Sequence, residues 1–106
     1  MAWIYLCIAG LLEIFWAISL KHSEGFSNLR WSVVTIVGMT ASFYFLAQAL
    51  KTIPVGTAYT IWTGIGAVGT AVLGIVLFSE SAAPPRLACI GLIIVGIVGL
   101  KFTSSS

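Results

Sequence analysis

Apolar residues run along this chain in four long blocks, and the charged residues fall between them. The first block extends from Trp3 to Leu20 and is broken by charge only at Glu13. Lys21, His22, Ser23, Glu24 and Gly25 end it, and the turn through Asn28 closes at Arg30. The second runs from Trp31 to Leu50 with no charge at all, until Lys51 stops it. Pro54 and Gly56 mark a tight connection, so the second and third blocks are expected to be antiparallel neighbours. The third runs from Val55 to Phe78 and gives way to Glu80 and a stretch ending in Pro84-Pro85. The fourth holds 14 apolar residues between Arg86 and Lys101.

As a helix, the first block is roughly 27 Å long, enough to cross the hydrocarbon core of a bilayer. The fourth is short, roughly 21 Å. Its basic ends extend its reach by snorkelling towards the headgroups. The pattern therefore predicts an all-α membrane protein, one domain over residues 1–106, with transmembrane helices at about 3–20, 31–50, 55–78 and 86–102. The polar tail from Thr103 to Ser106 is expected to fray.

Composition narrows the class. Hydrophobic residues make up 59% of the 106 and charged residues 8%, against the roughly 25% that a soluble domain carries. The net charge of +2 is too small and too scattered to suggest nucleic acid, and no such partner is expected. No basic amphipathic stretch points to surface binding. Cys7 and Cys89 fall inside apolar blocks without metal-ligand spacing, and are expected to act as small buried hydrophobes. No Lys or Arg precedes the first block and an acid interrupts it, so it reads as a span rather than a cleaved leader. There is no Ser-His-Asp or Cys-His arrangement, no metal cluster and no phosphate loop. Neither an enzyme nor a bound cofactor is expected.

Orientation is nearly undetermined. One membrane face carries the N-terminus, Lys51 and Lys101, and the other carries Lys21, Arg30 and Arg86. Two basic residues against three give the positive-inside rule almost nothing to act on. Insertion in both orientations is the expectation.

The candidate chemistry centres on Glu13. A carboxylate at mid-span costs about 2.5–3.5 kcal/mol on insertion scales, and an acid retained there is by default a functional site. Its helical neighbours at three and four residues are Ala9, Gly10, Trp16 and Ala17. The small ones leave room for an approaching group, and the tryptophan offers a ring and an N–H donor. In the second block Thr35, Gly38, Met39 and Ser42 share a face. In the third, Tyr59, Trp62, Thr63, Gly66 and Thr70 form a polar and aromatic stripe. A carboxylate, hydroxyls and rings suit an organic cation. Blander roles compete: Ser42 and Thr35 can bond carbonyls of their own helix, Trp16 and Trp62 can simply pack, and Glu13 can act as interhelical glue. His22 reads as a solvated interface residue, and Trp3 and Trp31 as interface anchors. Gly64 and Gly66 are candidates for a kink in the third helix. Gly91, Gly96 and Gly99 suggest that the fourth serves close helix packing or dimerisation.

One segment is more specific than all of this. Pro54-Val55-Gly56-Thr57-Ala58-Tyr59 leading to Trp62-Thr63-Gly64-Ile65-Gly66, with four short spans and a glutamate in the first, resembles the small multidrug resistance family. Glu13-Ile14-Phe15-Trp16-Ala17, Leu20-Lys21 and the ending Gly96-Ile97-Val98-Gly99-Leu100-Lys101 look like its guanidinium-exporter subtype. The polyaromatic-cation subtype has a small residue where Trp16 stands.

The resemblance implies an antiparallel homodimer in the bacterial inner membrane that exchanges protons for a cationic substrate. It implies that Glu13 of both subunits binds proton or substrate. Gly10, Trp16, Ser42, Tyr59 and Trp62 would line or order the pocket. Gly64 and Gly66 would form the kink, and Gly91, Gly96 and Gly99 the dimer contact. The residue chemistry runs the same way, because guanidinium is planar and rich in N–H donors that match a carboxylate. The leading expectation is a proton-coupled exporter of guanidinium and small substituted guanidinium ions. Its alternatives are an exporter of bulky quaternary ammonium cations, a small channel, and a non-transporting subunit.

Overall fold

In a bilayer every backbone polar group must find its partner within the protein, and for apolar runs of this length only a helix achieves that. The computed structural model describes residues 1–103 and contains four helices: α1 (Ala2–His22), α2 (Leu29–Ala49), α3 (Val55–Phe78) and α4 (Pro84–Thr103). No strand occurs among the described residues. All four are long and apolar enough to cross a membrane. Of the tail expected to fray, residues 104–106 lie outside the described residues.

Local chemistry explains where the helices stop. Ser23 ends α1: its hydroxyl donates to the Leu20 carbonyl at 2.6 Å and accepts the Phe26 N–H at 3.2 Å. The chain then turns through left-handed backbone at Glu24, Gly25 and Phe26. Asn28 caps α2, its Oδ1 accepting the Trp31 N–H at 3.2 Å. Ser79, left-handed at φ 55°, ends α3, and the Glu80 N–H closes back on the Gly74 carbonyl at 3.2 Å. The double proline opens α4. Pro84 and Pro85 occupy its first turn, where an N–H has no partner within the helix anyway. The helix therefore begins two residues before Arg86, which softens the apparent shortness of this span.

The helices assemble around α1. It packs along both α2 and α3, which barely touch each other, and the backbone of α4 packs on α3 alone. The core is small: Leu6 and Ala9 of α1 meet Ala49, Ile53, Ala58, Ile61 and Trp62. Helix α4 buries no residue. Many large apolar side chains stand on the surface, among them Val37, Val76, Leu92 and Val95, as expected where the solvent is lipid. Cys7 and Cys89 are also on the surface, contrary to expectation. Apolar blocks in a membrane protein do not separate lipid-facing from buried positions, so burial could not be read from hydrophobicity there.

Both membrane faces carry side-chain ties. At one, His22 stacks on Trp31 at 4.8 Å and lies 5.6 Å from Phe78, with the Lys21 ammonium 5.3 Å from the same Phe78 ring. Glu80 and Arg86 pair at 2.8 Å across the α3–α4 turn. At the other, the Lys101 ammonium sits 4.4 Å over the Trp3 ring. Trp3 and Trp31 thus lie at helix ends, as interface anchors do.

Glycines set how closely the helices approach. A Cβ added at Gly10 would lie 2.6 Å from Cγ2 and 2.8 Å from Cβ of Ile65, and one at Gly69 would overlap Ile14. Ile65 and Ile14 thus fill the space these two glycines leave, and α1 and α3 lock by knobs into glycine notches. Gly10→Leu is expected to destabilise the fold by about 1–3 kcal/mol, the usual range for overpacking. Ile65→Ala should recover part of that loss, measured by thermal unfolding in detergent.

Candidate functional site

Glu13 lies on the side of α1 that leans on α3. Its carboxylate rests against Gly66, where an added Cβ would overlap it. Gly66 thus keeps a place for the acid on the α3 backbone. The Glu13 side chain is half-buried, and its Oε1 is buried without a hydrogen-bond partner. Among the described residues the one ion pair joins Arg86 to Glu80, at the membrane face rather than within the spans. Glu13 therefore meets no fixed cation.

One turn towards the N-terminus, three helices meet on a single backbone oxygen. The Ser42 hydroxyl donates to the Ala9 carbonyl at 2.7 Å. The Trp62 Nε1–H is shared between that carbonyl at 3.2 Å and the Ser42 oxygen at 3.0 Å. In an α-helix the carbonyl of residue 9 is also the acceptor for the N–H of residue 13. The node joining α1, α2 and α3 therefore lies on the peptide that holds Glu13 in the helix. Each such bond contributes about 1 kcal/mol net, and more is lost if a buried partner is stranded.

The other expected residues are distributed around this node. Trp16 is partly buried, with its Nε1 buried and unpartnered. Tyr59 is 57% exposed, its ring tilted 5.6 Å from Trp62. Phe43 meets Trp62 edge-on at 5.7 Å. Gly10 lies under Ile65, filling the α1–α3 contact. Gly64 faces α4, where a Cβ would come within 2.8 Å of Ile97, and α3 is helical without a break through Gly64 and Gly66. Gly91, Gly96 and Gly99 look onto open space, with no atom within 4 Å of an added Cβ. Thr35 bonds the carbonyl of Trp31 in its own helix at 2.8 Å. Ser42 does not do so and reaches across to α1.

Two features escaped the sequence reading. The Ala9 carbonyl is a backbone atom, and no residue type announces that it will accept side-chain donors. Gly38 was visible on the Ser42 face, but its contact with Phe15 and Trp16 was not. An apolar groove of about 530 Å³ also opens between α1 and α3, lined by Leu11, Ile14, Phe15, Gly69, Val72 and Leu73. No polar side chain lines it, and Glu13 is not part of it.

Comparison with known proteins places this arrangement. The family model for the Small Multidrug Resistance protein matches residues 1–93. A guanidinium exporter from Yersinia pseudotuberculosis is 62% identical over 104 residues, covering 98% of this chain and all of the relative. Guanidinium exporters from Salmonella typhimurium and from Escherichia coli K12 are each 58% identical, covering 98% of this chain and 99% of theirs. Four apolar helices, the motif from Pro54 to Gly66 and a family match over nearly the whole length agree: this chain belongs to the small multidrug resistance family and is a multi-pass membrane protein, of the inner membrane in bacteria.

Proposed function

We propose that this protein exports guanidinium and small substituted guanidinium cations in exchange for protons. The observation that carries the reading is the Glu13 carboxylate, placed within the membrane with a buried oxygen that has no partner and no basic residue beside it. A stranded acceptor of this kind is costly unless something mobile satisfies it. A proton and an N–H-rich cation both do so, and they compete for the same negative charge. If only loaded carriers change the side they face, competition becomes exchange. The names of the relatives supply the cation: proteins at 58–62% identity are guanidinium exporters.

The shape supports a two-subunit carrier. The chain extends 43 × 35 × 17 Å, and its thinnest dimension is under two helix diameters. A slab that thin cannot surround a path by itself. Two copies in opposite orientation would bring two Glu13 carboxylates together and supply the inverted symmetry that larger transporters encode as internal repeats. The balanced loop charges permit both orientations. Helix α4, with no buried residue and with Gly91, Gly96 and Gly99 uncovered, is the proposed dimer contact. Alternating access would use α3 as the bending element, at Gly64 and Gly66. Gly10, Trp16, Ser42, Tyr59 and Trp62 would line or order the pocket around Glu13. A bulky quaternary ammonium substrate fits less well, because Trp16 crowds the acid on its own helix face.

Three outcomes test this reading. In proteoliposomes, Glu13→Gln should abolish guanidinium-coupled proton movement, and Glu13→Asp should leave a slower exchange. Wild-type rates in Glu13→Gln would refute the mechanism. For the wild type at symmetric pH, the apparent KM for guanidinium should rise as pH falls, because a protonated Glu13 cannot bind the cation. A tag after the C-terminus should be accessible from both sides of the membrane in roughly equal measure, and a single orientation in all copies would defeat the antiparallel dimer.

A further inference from the structure

Gly38 lies on α2 directly beneath two consecutive residues of α1. A Cβ built on it would lie 3.0 Å from Cδ2 of Phe15, 3.3 Å from Cε2 of the same ring, and 3.1 Å from Cβ of Trp16. These contacts are unequal. The Phe15 ring is 50% exposed and can swing aside. The Trp16 Cβ is attached to the backbone and moves only if α1 moves. On its opposite side α1 is already in contact with α3, where Gly10, Gly66 and Gly69 hold Ile65, Glu13 and Ile14. Towards its N-terminus it is tied at the Ala9 carbonyl by Ser42 and Trp62.

The direction of yield follows from helix geometry. Residues 15 and 16 are about 100° apart around the axis, and residue 13 lies about 60° beyond residue 16. Gly38 faces the gap between Phe15 and Trp16. A group added there pushes Trp16 away from α2 and towards the Glu13 side. We propose that Gly38 is a positioning residue that seats Trp16 against α2 and so sets the size of cation that Glu13 admits. This inference rests on the guanidinium reading above.

The test compares guanidinium with methylguanidinium, each as substrate for reconstituted wild type and Gly38→Ala. A shift of a few tenths of an ångström in a binding wall should raise the guanidinium KM about threefold and the methylguanidinium KM about tenfold, with maximal rates within about twofold. The larger cation loses more because the displaced indole takes up its space. Equal changes in the two KM values, unchanged KM values, or a fall confined to maximal rate would each overturn the proposal. Should Gly38→Ala fail to reconstitute, the double variant Phe15→Leu/Gly38→Ala removes the ring contact and leaves the Trp16 contact. The same shift in KM ratio is then expected, and an unshifted ratio overturns the proposal. If the wild type carries no guanidinium, the functional reading fails and takes this inference with it. Wild-type transport with an unshifted ratio in the variant refutes the role of Gly38 alone.

Discussion

A bare carboxylate in oil needs a protein built to hold it, and the packing of α1 between α2 and α3 meets that need. The acid is not neutralised by a fixed partner, so its position has to come from its surroundings. Gly66 gives its carboxylate a place on one side. The Ala9 carbonyl, fastened by Ser42 and Trp62, holds the preceding turn of its helix. Remove either and the same charge would have to find its place against soft side chains and lipid. The helices thus act as a frame around one acidic group.

The frame is made largely of absent side chains. Gly10 accepts Ile65, Gly66 accepts the acid, Gly69 accepts Ile14, and Gly38 lies against Phe15 and Trp16. In a soluble helix each glycine would cost about 1 kcal/mol relative to alanine. In a membrane, where lipid solvates leucine as well as protein does, close backbone approach is a principal source of helix adhesion. Four helices of modest length gain cohesion in this way without a large buried core.

Much of this could be read from the residues. The charges that interrupt the apolar blocks gave the four helices, and Glu13 was conspicuous because no basic residue shares its span. The motif from Pro54 to Gly66 carried the family. What could not be read was the pairing of particular atoms. Ser42 was as consistent with a bond to its own helix as with one to α1, since hydroxyl chemistry is the same in both cases. Gly10 looked like room beside the acid, yet its space is filled from α3. The start of α4 lies two residues before the basic boundary at Arg86, because a first helical turn tolerates proline. The exposure of Cys7 and Cys89 could not be read either, because uniform hydrophobicity carries no sign for inside and outside.

The fourth helix is joined to its own chain economically. Its backbone leans on α3 near Gly64, and its two ends are pinned by Glu80–Arg86 and by Lys101 over Trp3. Among the described residues none of α4 is buried, and Gly91, Gly96 and Gly99 meet no other part of the chain. Side chains introduced at Gly91, Gly96 and Gly99 would therefore change what α4 presents outward while leaving the packing that holds Glu13 as it is.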